Sequence, residues 1–182
     1  MSDILGKYFD TENLAYWMAF QLLTGNTDTQ SRNMYLYSPT NSDTFYVLDW
    51  DNDGMLMRKE YEIKQRSDGK SWENGISNYW GNMLFSRCLQ TKSFRTALDK
   101  AIQDEYKYMN ANRINSMVKH YRSITEQYVW KMPDSMYEGV TKSQYDVIAN
   151  QLHSEIEQNY QTYQTGFNKP MPFYIGTPTP TN

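Results

Sequence analysis

The chain has 182 residues and a formal net charge of −3, with 18 Lys and Arg against 21 Asp and Glu. This length fits one domain with a substantial core, and without a basic excess the chain is expected to bind neither nucleic acid nor an anionic membrane surface. No apolar run approaches the roughly 20 residues that membrane insertion needs, and the single cysteine, Cys88, excludes an internal disulfide.

The first element that the sequence predicts is a helix over residues 11–24. Asp10 has the chemistry of a helix N-cap, and the pair Thr24-Gly25 supplies a stop signal. The apolar positions between them form one wide stripe made of Leu14, Trp17, Met18, Phe20 and Leu22. We therefore expect a helix that leads into a polar loop over residues 25–33.

Two short strands are predicted next, over residues 34–37 and 44–48, where aromatic and β-branched residues are concentrated. The turn-forming residues 39–43 between them favour a β-hairpin. In an antiparallel hairpin the first strand begins where the second one ends. The sequence therefore predicts that Asn33 and Asp51, which flank the hairpin, lie close together.

The second half of the chain is expected to be a helical subdomain. Apolar and aromatic residues recur at helical spacing in four stripes: Tyr79, Trp80, Met83, Leu84 and Cys88; Phe94, Ala97, Leu98, Ala101, Ile102 and Met109; Ile114, Met117, Val118, Tyr121, Ile124 and Tyr128; and Tyr145, Ile148, Ala149, Leu152, Ile156 and Tyr163. We expect these side chains, tyrosines included, to pack in the core. Pro133 and Gly139 separate the third helix from the fourth, which begins at a capping box of Thr141 and Gln144 and stops at Gly166.

Asp28 and Asn33 are spaced as in the Asp-x-x-x-x-Asn catalytic loop of protein kinases, and Asp51 follows the hairpin where kinases carry a metal-binding aspartate. Phosphoryl transfer needs a carboxylate that takes the proton of the attacking hydroxyl, and oxygen ligands that hold Mg²⁺ against the phosphates. Asp28 suits the first task, and Asn33 with Asp51 suits the second. The alternative is that Asp28 and Asn33 only cap and brace a polar loop.

Three segments extend this likeness: Gly25-Asn26-Thr27-Asp28, Asn33-Met34-Tyr35-Leu36-Tyr37 and Trp50-Asp51-Asn52-Asp53. In order and spacing they resemble the CotH family of spore-coat and cell-surface kinases, which have an atypical kinase fold, and the resemblance extends over residues 8–105. It implies transfer of phosphate from ATP to serine of coat or surface proteins with Mg²⁺ or Mn²⁺. It also implies that Asp28 is catalytic, that Asn33 and Asp51 bind the metal, and that Asp53 is a second acidic ligand.

The chain departs from the family pattern in two places, with Asp49 where proline is usual and Asn26-Thr27 where kinases carry His-Arg. It also has no Gly-x-Gly pair and no strand-borne lysine ahead of the loop, the parts with which kinases hold the phosphates. In the family those parts lie upstream. We therefore expect this chain to be the C-terminal half of such a kinase, partnered by an upstream N-lobe and inactive or nearly so on its own.

A rival pattern covers the second acidic loop. Asp49, Asp51, Asp53, Gly54 and Glu60 occupy positions 1, 3, 5, 6 and 12 of an EF-hand calcium loop. The strand predicted just before this loop argues against an EF-hand, because an EF-hand loop lies between two helices. Three interpretations stay open here: a catalytic metal site, a Ca²⁺ loop in a non-catalytic surface or spore-coat module, and an acidic turn that binds nothing.

The sequence as a whole predicts an α+β fold, a kinase-like C-lobe that is mostly helical with a small hairpin carrying the metal-site acids. Residues 1–168 would form this lobe, which would include an irregular segment over residues 55–75. Residues 169–182 would form a Pro/Thr-rich tail or linker. The family resemblance implies an extracellular, cell-surface or spore-coat location.

Overall fold

The computed structural model describes residues 2–26, 29, 32–56, 82–137 and 139–167. Its elements are α1 (Ser2–Tyr8), α2 (Thr11–Thr24), β1 (Met34–Tyr37), β2 (Tyr46–Asp49), α3 (Met83–Leu89), α4 (Lys92–Tyr108), α5 (Ala111–Val129), α6 (Lys142–Ala149) and α7 (Leu152–Phe167). Short 3₁₀ turns lie at Asn52–Gly54 and Asp134–Met136. The described part of the chain is therefore mostly helical with a small antiparallel sheet, consistent with the α+β class.

Helix α2 lies at the centre of the fold, and its predicted bounds are confirmed. Asp10 caps it by accepting a hydrogen bond from the Asn13 backbone N–H at 2.8 Å, and Gly25 ends it in the left-handed conformation at φ 64°. Its apolar face packs mainly against α4 and α7. The core is formed by buried side chains of several helices, including Leu14, Met18, Leu23, Phe85, Phe94, Leu98, Ile102 and Ile156.

The predicted hairpin is confirmed, with a shift in its second strand. Strands β1 and β2 pair antiparallel, with Met34 opposite Asp49 and Tyr37 opposite Tyr46. Strand β2 begins two residues later than the sequence predicts, because the backbone of Phe45 is engaged elsewhere. Its N–H donates to the Tyr8 carbonyl at 2.7 Å, and its carbonyl accepts from the Asp10 N–H at 3.0 Å. The connection between α1 and α2 therefore anchors the hairpin.

Asn13 fixes the hairpin to α2. Its side-chain carbonyl accepts from the Val47 N–H at 2.7 Å, and its amide nitrogen donates to the Val47 carbonyl at 3.2 Å. This places Val47 against the core, where 2% of its surface remains exposed. One residue of α2 thereby sets the position of β2 and of the loop that follows the strand.

The fourth predicted helix is two helices, α6 and α7. The Thr141–Gln144 capping box forms as predicted. The chain turns at Asn150 and Gln151, where the Gln151 N–H donates to the Ile148 carbonyl in a tightened turn. The expected stop at Gly166 is wrong, because α7 continues to Phe167. Periodicity missed the break because the apolar stripe runs across both helices.

The third stripe also differs from expectation. Helix α5 forms as predicted, but none of its side chains is buried. The large apolar side chains of its stripe are about half exposed: Met117 47%, Tyr121 58%, Ile124 46% and Tyr128 57%. An amphipathic pattern shows that a helix has an apolar face, and it carries no information about what covers that face.

Two predicted segments lie wholly or mostly outside the described residues, namely the irregular region 55–75 and the tail 169–182. Within the described ranges no helix is both long and apolar enough to cross a bilayer. Cys88 is fully buried, as expected for a small apolar residue of α3.

Candidate functional site

Three of the four residues that the sequence singles out, Asn33, Asp51 and Asp53, lie at one end of the hairpin. Asn33 immediately precedes β1, and Asp51 lies two residues after β2. Because Met34 pairs with Asp49, these two positions flank the same hairpin end. Asp53 lies in the 3₁₀ turn that follows and is exposed. Asp28 lies outside the described residues.

Asn33 and Asp51 share an uncommon backbone conformation. Their φ angles are 58° and 54°, in the left-handed region that non-glycine residues rarely occupy. Asn and Asp tolerate this region better than other side chains, but it still costs of the order of 1 kcal/mol. Such strain persists only where the surroundings fix the chain.

Three side-chain amides join the end of α2 to residues 49–54, which we call the acidic turn. These amides are Gln21, Asn26 and Asn52, and we call them the amide junction. The Gln21 nitrogen donates to the Asp49 carboxylate at 2.7 Å and to the Asn52 carbonyl at 3.2 Å. The Asn26 nitrogen donates to the same Asn52 oxygen at 3.1 Å. Gln21 and Asn26 are buried, at 0% and 2% exposure. The loop after α2 and the turn after β2 therefore touch.

The sequence-based interpretation missed Gln21 and Asn26 as members of this region. A signal for Gln21 was present, because it lies four residues after Trp17 on the stripe that faces the core. A buried amide on an apolar helix face needs hydrogen-bond partners, and those partners are generally specific polar groups of another segment. No comparable signal marks Asn26, which belongs to a loop of uniformly polar residues.

Burial shifts the electrostatics of the acidic turn. Partial burial raises the pKa of Asp49, and the hydrogen bond from Gln21 opposes this by stabilising the carboxylate. The pKa of Glu105 on α4 is also raised, first by burial and then by the negative charges of Asp104 and Asp49. The carboxylates of Asp49, Asp104 and Glu105 are therefore close enough for Asp49 and Asp104 to disfavour ionisation of Glu105.

The candidate residues have the side-chain chemistry of a site for a hard cation. Asn33, Asp51 and Asp53 offer carbonyl and carboxylate oxygens, the ligands that hard cations prefer. Among the described residues no group of three or more His, Cys, Asp or Glu side chains is placed to hold a metal. Mg²⁺ is commonly bound through one or two carboxylates, with water and substrate phosphates completing its shell.

The structural surroundings of the calcium-loop pattern differ from those of an EF-hand. Strand β2, and no helix, leads into it, and Asp49 at its first position accepts a hydrogen bond from Gln21. Glu60, the twelfth position, lies outside the described residues. The helix that should precede an EF-hand loop is therefore replaced by a strand.

Comparison with known proteins gives one result. A protein-family model described as CotH kinase protein matches residues 1–163 of the chain. Searches of curated proteins and of solved structures found no match. The matched range includes every described element up to the last turn of α7.

Proposed function

Because this chain belongs to the CotH kinase family, we propose that it is the C-terminal lobe of an atypical protein kinase that transfers phosphate from ATP to serine of coat or surface proteins. The lobe would span residues 1–168, with residues 169–182 as a tail or linker. The parts that hold the nucleotide phosphates would come from an upstream N-lobe, since this chain has no Gly-x-Gly pair. The location would be extracellular, at the cell surface or in the spore coat.

Each candidate residue has one role in this proposal. The serine hydroxyl attacks the γ-phosphorus, the bond from that phosphorus to the bridging oxygen of ADP breaks, and Asp28 accepts the hydroxyl proton. Asn33 and Asp51 would hold a divalent metal, and Asp53 would be a second acidic ligand. The metal, Mg²⁺ or Mn²⁺, neutralises charge on the phosphates when it is bound.

The contact between the two polar loops carries the proposal. Asn26 lies two residues before Asp28 in sequence, and its side chain bonds to Asn52, the residue after Asp51. A catalytic base and a metal ligand must act on the same phosphoryl group, so their loops must adjoin.

Phosphate transfer from radiolabelled ATP to a serine-containing coat or surface protein tests the proposal, with the full-length protein as the enzyme. We expect Asp28→Asn and Asp51→Asn each to lower the rate by about 10²–10⁴-fold. Asp43→Asn, a change in the exposed hairpin turn, is the matched control and should leave the rate unchanged. Wild-type rates in both site variants would overturn the proposal.

Titration with Ca²⁺ separates the rival module from the kinase. Micromolar Ca²⁺ binding that Glu60→Ala abolishes and Asp28→Ala spares would favour a calcium loop in a non-catalytic module. Loss of phosphate transfer in Asp51→Asn with no such Ca²⁺ binding would favour the kinase. If the kinase proposal is right, the 182-residue chain by itself should transfer little or no phosphate, because it lacks the upstream lobe.

A further inference from the structure

The carboxylate of Asp49 fixes the direction of three hydrogen bonds in the amide junction. An ionised carboxylate only accepts, so Gln21 must present its amide nitrogen to Asp49. The same nitrogen reaches Asn52, which must therefore present its carbonyl oxygen. Asn26 must then present its own nitrogen to that oxygen. The three amides consequently have one consistent orientation.

The junction holds the chain on both sides of Asp51. Gln21 binds the side chain of Asp49 two residues before Asp51 and the side chain of Asn52 directly after it. A backbone bond from the Leu56 N–H to the Thr24 carbonyl, at 2.8 Å, fixes the far end of the same turn to α2. Asp51 itself stays exposed, with φ 54° and ψ 61°.

Left-handed backbone at a non-glycine residue reverts to ordinary angles unless its neighbours prevent it. The neighbours of Asp51 are held by Gln21, a side chain of α2 with no exposed surface. We infer that Gln21, Asn26 and Asn52 are positioning residues, which hold Asp51 in its left-handed conformation and keep it beside the loop after α2. The catalytic part of this inference rests on the proposed function. The backbone conformation of Asp51 can be measured without any enzymatic activity.

NMR of the 182-residue chain tests the conformational part. A left-handed residue gives a strong intraresidue HN–Hα cross-peak, because its two protons lie unusually close together, and we expect this signature for Asp51 in the wild type. Gln21→Met keeps the volume of the buried side chain and removes its donor, and Asn52→Ala removes the shared acceptor. Both variants should lose the left-handed signature of Asp51. Its retention in both would overturn the inference.

Asn52→Ala keeps the test decisive if Gln21→Met fails to fold, because Asn52 is partly exposed and in a turn. Gln103→Met is the matched control: it removes an amide that accepts from the Tyr160 hydroxyl at 2.9 Å on an exposed part of α4. We expect this control to leave the Asp51 signals unchanged. A loss of the signature in Gln103→Met as well would mean that general destabilisation is the cause, and the inference would fall.

Kinetics of the full-length protein test the catalytic part. Gln21→Met and Asn52→Ala should lower kcat by about 10–100-fold, as changes around metal ligands typically do, with little change in KM for the protein substrate. The double variant should lose less than the product of the two single losses, because both act through one junction. Wild-type kcat in variants that have lost the left-handed signature would overturn the inference and leave the proposed function intact. Absence of transfer by the wild type would overturn the proposed function, while the NMR result would still decide whether the amides hold Asp51.

Discussion

The side-chain amide of Asn159 donates a hydrogen bond to the Leu23 carbonyl at 3.0 Å, joining two residues 136 positions apart. Helix α7 thereby contacts the last turn of α2, just before the loop that carries Asp28 in sequence. Gly25 allows this approach. It adopts φ 64°, and a Cβ at this position would lie 2.9 Å from the Asn159 nitrogen.

Gly25→Ala is therefore expected to destabilise the fold. The left-handed backbone alone costs an alanine about 1–2 kcal/mol, and the displaced Asn159 amide adds to this. Gly6→Ala is the control, because a methyl group added at Gly6 in α1 would have nothing within 4 Å and alanine is the better helix former by up to about 1 kcal/mol. Urea unfolding of both variants measures the difference, and equal stabilities would contradict the assigned role of Gly25.

Ile102→Ala and Ile124→Ala should differ sharply although the chemical change is the same. Ile102 is completely buried in the core, so we expect a loss of about 2–5 kcal/mol in the free energy of unfolding. Ile124 lies on the exposed stripe of α5, and its loss should stay within about 0.5 kcal/mol. Chemical denaturation is the measurement. A large loss for Ile124→Ala would show that the stripe of α5 is covered.

Cys88 should be unreactive until the chain unfolds. It has no exposed surface, and burial raises the pKa of its thiol to about 12, so almost no thiolate exists at pH 8. We expect alkylation by a thiol reagent to follow the unfolding transition in urea, with the same midpoint as tryptophan fluorescence. Complete labelling within minutes in buffer alone would contradict the packing of α3.

Tyr16→Phe should reduce stability in a pH-dependent way. The Tyr16 hydroxyl donates to Asp104 at 2.6 Å, and Lys100 binds both groups at 3.0 Å. The hydrogen bond from Tyr16, followed by that from Lys100, lowers the pKa of Asp104. A lowered pKa in the folded state stabilises the fold above the unfolded value of about 3.9 and ceases to do so as the pH falls through the folded value.

The stability difference between wild type and Tyr16→Phe should therefore be larger at pH 7 than at pH 3, as measured by urea unfolding at both. Because Lys100 and Asp104 are exposed, the difference is expected to be modest and to shrink with added salt. Tyr108→Phe on exposed surface serves as the control and should show no such dependence. A difference that stays constant from pH 7 to pH 3 would show that Asp104 is not the partner that matters.

Local signals allowed most elements to be predicted. The Asp10 cap and the Gly25 stop bound α2 correctly, and the Thr141–Gln144 box marks the start of α6. The hairpin followed from β-branched and aromatic residues on either side of a turn, and its antiparallel pairing brought Asn33 and Asp51 to one end. These features depend on neighbours within a few residues, which is why sequence alone resolves them.

Local sequence signals identified only part of the candidate site. Spacing singled out Asp28, Asn33, Asp51 and Asp53, and whether they act as proposed stays a prediction. Gln21 and Asn26 were missed because their partners, Asp49 and Asn52, are 26 to 31 residues away. No local pattern records which distant carboxylate a buried amide will meet.

The sequence by itself determined the family, the caps and the periodic faces of the helices, because each depends on the order of residues along one segment. Only the tertiary structure decided which apolar faces are covered and which polar groups meet. It left most of the large apolar side chains in the stripe of α5 about half exposed and buried Gln21 beneath the turn of Asp51. The physical reason is that burial and hydrogen-bond pairing are properties of segments brought together by the fold, and a segment's own residues do not specify its neighbour.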